Sequence, residues 1–275
     1  MNLVRLFQYL SIDVGLAALS SAMFASYALG AQPRSIYYLV LFLAVLGIYN
    51  ADHAWDASRM ADLSDQRRAF HARWRKQLLV LSACSLVCAG ILSYQLRHQV
   101  ILAGIIVGIL MCAYFLLLRS GWLARSKEIF VSVGFTAGIW IPQMPLSHVD
   151  FRIAALACMF FLACALNLLA LALADIDIDR KHGDTNLALS TSPELVQRIV
   201  KLLCSVGAVL AVAAIATTGL DWLVILATLQ ICIQGSLCFM PSRWYVQIRL
   251  IGDWGFVLFG LPWLFQKLMS LHLIN

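Results

Sequence analysis

Long apolar segments recur along the chain and are separated by short polar stretches. Nine of them run for about 20 residues, the length that an α-helix needs to cross the hydrocarbon core of a bilayer. Their apolar positions are continuous rather than alternating, which argues against a membrane β-barrel. The pattern predicts an all-α, polytopic membrane protein with about nine transmembrane helices in one bundle. The predicted spans are 10–30, 36–54, 77–96, 99–118, 127–146, 152–174, 199–219, 221–240 and 249–271.

The overall composition is that of a membrane protein. The chain has 275 residues, of which 62% are hydrophobic and 12% are charged, whereas soluble domains carry about 25% charged residues. These values exclude soluble, disordered and collagen-like proteins. All eight cysteines lie in apolar segments without the spacing of metal ligands, so we interpret them as packing residues. We expect a single membrane-embedded domain over 1–275.

Basic residues are distributed unevenly between the two sides of the predicted spans. With the N-terminus in the cytoplasm, 16 of the 20 lysines and arginines fall on the inner side, as the positive-inside rule requires. The first apolar run lacks a convincing cleavage site, so we expect a retained first helix. The net charge of +6 comes without a nucleic-acid-binding motif, which excludes nucleic acid from the expected partners. We expect a multi-pass protein of a bacterial inner membrane, with its C-terminus outside.

The acidic residues gather in two short clusters. Eight of the 14 acids fall there, the first cluster after the second predicted span and the second cluster after the sixth. Both spans run from the outside to the inside, so we expect the two clusters at the same face of the membrane. The first cluster contains Asp52, Asp56, Asp62 and Asp65, and the second contains Asp175, Asp177, Asp179 and Asp184.

Each cluster contains an Asp-x-x-x-Asp pair, formed by Asp52 with Asp56 and by Asp175 with Asp179. Residues four apart share one face of a helix, where like charges repel each other, and nearby hydrocarbon makes this worse. A divalent cation removes the repulsion, and Mg²⁺ is typically held by one or two carboxylates together with waters or phosphate oxygens. We therefore predict Mg²⁺ ions that bridge a diphosphate, with Asp177 as a further metal ligand. The alternative is that both clusters are solvated loop charges without a ligand.

Other polar residues near the two clusters are further candidates for substrate binding. Asn167 lies two helical turns before the second pair, and Asn50 lies just before the first. Lys127 stands at a predicted helix start, and Arg180 and Lys181 directly follow the second pair. Their positive charges suit phosphate oxygens.

Two isolated acids complete the set of intramembrane candidates. Asp13 lies early in the first predicted span and Asp253 early in the ninth. Acids within a span are functional candidates by default. For Asp13 we expect a position at the membrane interface, and for Asp253 a salt bridge with Arg249, four residues earlier.

The two clusters resemble the motifs of a known enzyme family. The run 167–183, NLLALALADIDIDRKHG, looks like the second aspartate motif of UbiA-type intramembrane prenyltransferases. The run 50–56, NADHAWD, is similar to the family's first motif, although Asn50 precedes Asp52 by two residues rather than four. Tyr114, followed by Arg119 and Lys127, weakly resembles the family's Tyr-x-x-x-Lys region between the motifs. The resemblance covers most of the chain.

The resemblance implies a transferase that ionises a prenyl diphosphate and passes the isoprenoid group to an aromatic or other lipid-soluble acceptor. It implies Mg²⁺ as the cofactor, membrane lipid as the surroundings, and Asp52, Asp56, Asp175 and Asp179 as the catalytic residues. The alternatives are a terpene cyclase of the same superfamily, a non-catalytic homologue, and a transporter. The implied substrate-binding residues are Asn50, Tyr114, Lys127, Asn167, Arg180 and Lys181.

Overall fold

A computed structural model describes residues 3–57, 66–119, 127–146, 148–182, 185–261 and 263–264. Within these ranges all regular secondary structure is helical, which confirms the predicted all-α class. The α-helices are α1 (Leu3–Tyr9), α2 (Ile12–Leu29), α3 (Ser35–Asp56), α4 (Gln66–Arg73), α5 (Arg75–Ser93), α6 (His98–Arg119), α7 (Lys127–Trp140), α8 (Phe151–Ala174), α9 (Ile176–His182), α10 (Leu187–Ser190), α11 (Pro193–Thr218), α12 (Trp222–Leu237) and α13 (Tyr245–Gly255). Short 3₁₀ helices follow α7 (Ile141–Leu146), precede α13 (Ser242–Trp244) and follow α13 (Phe256–Gly260).

Several of these helices suit a multi-pass membrane protein. Six described segments are long and apolar enough to cross a bilayer, namely Ile12–Leu29, Ser35–Asp56, Arg75–Ser93, Lys127–Leu146, Phe151–Ala174 and Pro193–Thr217. The shorter apolar helices His98–Tyr114 and Trp222–Leu237 coincide with the fourth and eighth predicted spans. The ninth predicted span begins in α13, and most of its second half lies outside the described residues. The count of nine spans stays a prediction.

Helix ends follow local capping chemistry. The Asp150 side chain caps the start of α8 by accepting a hydrogen bond from the Ile153 amide at 2.8 Å. The Asp221 side chain caps α12 by accepting a hydrogen bond from the Leu223 amide at 3.0 Å. Gly30 ends α2 with a φ of 61°, a left-handed conformation that glycine adopts without strain. These polar caps fix the short turns between long apolar helices.

The two long connections differ from the sequence prediction. Residues 55–76 and 175–198 are predicted as loops, but they contain α4, α9, α10 and the first turns of α11. These helical segments are short, and α4 and α9 are largely polar, so a search for 20-residue apolar segments does not find them. Their positions matter because α4 and α9 carry the charged groups described below.

Helix α8 lies at the centre of the bundle and packs against α7, α11, α12 and α13. Its side chains Leu156, Phe160 and Leu166 are fully buried in the main core. By contrast, α5 and α6 carry strongly exposed aliphatic residues such as Ile91 and Ile109, as expected for lipid-facing helices. The central helix therefore delivers its C-terminal end, with Asp175, to the middle of one end of the bundle.

Candidate functional site

Acids from both acidic clusters lie within electrostatic reach of Arg67 of α4. The Asp52 carboxyl, in the last turns of α3, lies within electrostatic reach of Arg67. The same guanidinium is within reach of Asp175, which directly follows α8, and of Asp13 and Asp253. Acids that are far apart in sequence therefore share one basic neighbour at one end of the bundle.

Arg67 keeps its charge in these buried surroundings. Burial, followed by the nearby Arg249, lowers the pKa of the Arg67 guanidinium from 12.5 to about 10, and Asp175, Asp253 and Asp13 oppose this shift. A group with this pKa is protonated at neutral pH. Its Nη2 atom lies 2.9 Å from Nε2 of His53 on α3, which holds the guanidinium between the helices. We refer to Arg67 and the charged groups around it as the ion cluster.

The second Asp-x-x-x-Asp pair is bound by arginines. Asp175 forms an ion pair with Arg249 of α13. Asp179 accepts a hydrogen bond from Nη2 of Arg68 on its Oδ1 at 3.1 Å, and another from Nδ2 of Asn186 on its Oδ2 at 2.8 Å. Both carboxylates of this pair thus contact cationic side chains, which stabilises two like charges that lie close together.

Helical geometry continues across the junction between α8 and α9. The Asp175 amide donates to Leu171 O at 2.9 Å, and the Asp179 amide donates to Asp175 O at 2.8 Å. Asp175 and Asp179 therefore keep the four-residue spacing predicted from the sequence. Asp177 lies between them on another face, with 66% of its side chain exposed, and its nearest basic partner is Arg180 at 4.0 Å. The structure does not bring Asp177 to the other aspartates.

The first pair has a different environment. Asp52 and Asp56 lie in the last two turns of α3, and each is within electrostatic reach of the other. Lys127, at the start of α7, is also within electrostatic reach of the Asp52 carboxyl. The sequence predicts Lys127 as a basic residue near the acidic clusters. The Tyr114 hydroxyl donates a hydrogen bond to the Lys127 carbonyl at 3.4 Å and lies within reach of Asp52. The predicted residues Tyr114 and Lys127 are therefore next to the first pair.

The two predicted asparagines lie deeper and have structural contacts. Asn50 is fully buried, and its Nδ2 donates to Leu10 O at 2.9 Å and to Leu46 O at 2.8 Å. This contact fastens the junction of α1 and α2 to α3. Asn167 is 8% exposed, and its Oδ1 lies against Gly252 of α13. Both amides thus connect helices beneath the ion cluster.

The structure places both isolated acids near the ion cluster. Asp13 is only 1% exposed and is buried among the helices, and its depth relative to the membrane interface stays a prediction. Arg249, the expected partner of Asp253, forms its ion pair with Asp175, although Asp253 also lies within its electrostatic reach. The fold places Asp175 and Asp253 on either side of one arginine because α8 and α13 pack against each other.

Several predicted residues lie away from the cluster or cannot be placed. The side chains of Arg180 and Lys181 are exposed, and the nearest described acid to Arg180 is Asp177. Asp62, Asp65 and Asp184, which belong to the predicted acidic clusters, lie outside the described residues.

Two site residues were missed by the sequence analysis. Glu128 of α7 is 4% exposed, and its Oε1 accepts a hydrogen bond from the Leu187 amide at 3.1 Å. Asn186 caps α10 through the Leu189 amide at 2.7 Å while it binds Asp179. Together they hold the segment after α9 against α7. An Asn just before a short apolar run is a recognisable helix cap, but no local pattern pairs it with Asp179.

The donor set at this end of the bundle fits Mg²⁺ only in part. Mg²⁺ prefers oxygen ligands, and Asp52 with Asp56 supplies two carboxylates of the kind that hold it next to phosphate. The carboxylates of Asp175 and Asp179 contact arginines instead. Among the described residues, no three His, Cys, Asp or Glu side chains converge closely enough to hold a metal ion. The first pair supplies ligands of the kind that the ion prefers, and the second pair can do so only if its arginines move.

The formal charge of the cluster also favours a cation. Seven carboxyl groups face four basic groups in the part of the chain that the structure describes. The acids are Asp13, Asp52, Asp56, Glu128, Asp175, Asp179 and Asp253, and the bases are Arg67, Arg68, Lys127 and Arg249. All of these carboxyls except that of Asp56 are buried or half-buried, and an excess of such carboxyls is stabilised by bound cations or by protons.

Comparisons with known proteins add no assignment. No protein-family model, curated protein or solved structure matches this chain.

Proposed function

We propose that this chain is a membrane-embedded, Mg²⁺-dependent prenyltransferase of the UbiA type. It would transfer an isoprenoid group from a prenyl diphosphate to an aromatic or other lipid-soluble acceptor. The observation that carries the proposal is the arrangement around Arg67, where acids from both Asp-x-x-x-Asp pairs share a basic neighbour. In the proposed topology this end of the bundle is cytoplasmic, where a water-soluble diphosphate head can enter.

Basic residues from separate helices would bind the diphosphate. Arg67 and Arg68 come from α4, and Lys127 comes from the start of α7. Guanidinium groups bind phosphate oxygens in a bidentate manner as readily as they bind carboxylates. Arg68 and Arg249 would therefore exchange their carboxylate partners for phosphate oxygens, which frees Asp179 and Asp175.

Asp52 and Asp56 would hold Mg²⁺, and Asp175 and Asp179 would join them after this exchange. The bound ion offsets the negative charge that develops on the leaving diphosphate. The chain's own contribution is to position the head group and to exclude water beneath it. Tightly packed residues such as Phe160 and Leu166 of α8 form the dry core below the cluster. An isoprenoid tail would extend toward the lipid-facing helices.

A non-catalytic homologue is the second candidate, and a specific observation favours it. The ion pairs of Asp175 with Arg249 and of Asp179 with Arg68 resemble purely structural salt bridges between helices. If these pairs never exchange, the second motif only stabilises the fold. A terpene cyclase would use the same diphosphate site without an acceptor.

The proposal is tested by measuring diphosphate release from prenyl diphosphates of several chain lengths by purified protein in neutral detergent. We expect release that requires Mg²⁺ and that rises when a suitable aromatic or lipid acceptor is added. Release that is independent of any acceptor, together with a cyclic hydrocarbon product, would identify a cyclase. No release with any donor would favour the non-catalytic homologue.

A further inference from the structure

A second charged feature lies on the side of α4 that faces away from the ion cluster. A groove with a volume of about 490 Å³ runs between α1 and α4 and is lined mainly by Arg5, Tyr9, Gln66, Phe70, Arg73 and Trp74. On α4, Gln66, Phe70 and Arg73 recur every three to four residues and so share one face of the helix. The opposite face carries Arg67 and Arg68, which contact the bundle. One short helix thus borders two separate sites.

One wall of the groove is aromatic. The rings of Tyr9 and Phe70 are 5.1 Å apart between centroids, and those of Phe70 and Trp74 are 6.2 Å apart. The Trp74 side chain is exposed, with a relative accessibility of 42%. Three connected rings provide an apolar surface for the glycerol backbone and first methylenes of a lipid.

The groove also carries positively charged side chains. Arg5 of α1 and Arg73 of α4 border the groove from facing helices, and both are exposed. Nη1 of Arg5 donates a hydrogen bond to Oε1 of Gln66 at 3.2 Å, which connects α1 to α4 across the groove. The two arginines bring positive charge to the groove, which favours an anionic ligand.

The groove also lies where a lipid head group would be found. The two helices that border the groove, α1 and α4, directly precede α2 and α5. Both α2 and α5 are long and apolar enough to cross a bilayer. The groove thus lies just before the start of two candidate spans. Tryptophan and arginine are typical of this interfacial zone, where ring and alkyl parts contact the lipid and the polar ends reach water.

We propose that this groove binds the phosphate head group of an anionic phospholipid from the adjoining leaflet. Arg5 and Arg73 contact the phosphate oxygens, and Tyr9, Phe70 and Trp74 contact the glycerol and the upper acyl chain. The proposal does not depend on the prenyltransferase assignment, because the groove shares no lining residue with the ion cluster.

The test is a titration of purified protein with phosphatidylglycerol or phosphatidylcholine in neutral detergent, followed by native mass spectrometry. The groove variant is Arg5→Gln with Arg73→Gln. The control is Arg198→Gln with Lys201→Gln, which removes the same charge from exposed residues of α11 on the same predicted side of the membrane. Both variants are first checked for a monodisperse gel-filtration profile and an unchanged melting temperature.

We expect wild-type protein and the control to bind one phosphatidylglycerol in preference to phosphatidylcholine. The groove variant should bind that lipid at least about tenfold more weakly, since each basic residue near a lipid surface adds roughly a factor of five. Equal binding by the two double variants would overturn the proposal. Complete displacement of the lipid by millimolar inorganic phosphate would also overturn it, because the groove would then select free phosphate rather than a lipid.

Discussion

Replacing Asp52 by Asn is expected to slow Mg²⁺-dependent diphosphate release at least about a hundredfold. The substitution keeps the size of the side chain and removes the carboxylate of the first pair that lies within electrostatic reach of both Lys127 and Arg67. A hundredfold loss of rate corresponds to a rise of about 2.7 kcal/mol in the activation free energy. This lies within the several kcal/mol by which a bound metal ion stabilises the charge of the transition state. The rate is measured as phosphate released after coupling to a pyrophosphatase.

The matched control for this variant is Glu194→Gln, which removes the charge of an exposed acid at the start of α11 on the same predicted side. Its rate should stay within about twofold of wild type. If Asp52→Asn retained the wild-type rate while wild-type release still required Mg²⁺, the metal would be held elsewhere. The role proposed for the first pair would then be wrong.

Replacing Arg67 by Met is expected to destabilise the folded protein by roughly 2–4 kcal/mol. Arg67 is the basic group that Asp13, Asp175 and Asp253 share, and its removal leaves the buried Asp13 without this compensating charge. A loss of this size lowers the melting temperature of a protein of this length by roughly 5–10 °C. The measurement is thermal unfolding in detergent, followed by circular dichroism at the helical bands.

Two further variants make this prediction specific. Arg198→Met, at an exposed position on α11, should change the melting temperature by no more than about 1–2 °C. Adding Asp13→Asn to Arg67→Met should recover part of the loss, because Asp13 is 1% exposed and Arg67 is the basic group within its electrostatic reach. If Arg67→Met and Arg198→Met melted at the same temperature, the ion cluster would not contribute to stability.

Much of the fold could be predicted from the sequence. Segments of about 20 apolar residues identify long helices directly, and helices occur at all nine predicted positions over the parts that the structure describes. The short helices α4, α9 and α10 could not be predicted in this way. They are stabilised by tertiary contacts such as the Glu128–Leu187 hydrogen bond and the His53–Arg67 contact, which no local pattern contains.

The candidate site shows the same division between local and tertiary information. Four-residue spacing places Asp175 and Asp179 together, and the same helical geometry turns Asp177, two residues from each, to another face. That separation was available from the sequence. The basic partners were not, because Arg68 and Arg249 reach Asp179 and Asp175 from distant parts of the chain. Arg180, although adjacent in sequence, is exposed.

The central claim is that the ion cluster is a Mg²⁺-dependent diphosphate site. The most direct measurement is calorimetric binding of a prenyl thiodiphosphate, in which sulfur replaces the bridging oxygen, to purified protein with Mg²⁺ or with EDTA. The account predicts saturable binding in the presence of Mg²⁺, and it predicts that EDTA abolishes this binding. The substitutions Asp52→Asn and Asp175→Asn should each weaken the binding at least about tenfold. Absence of binding to folded protein in the presence of Mg²⁺ would contradict the account, and so would binding of equal strength in EDTA.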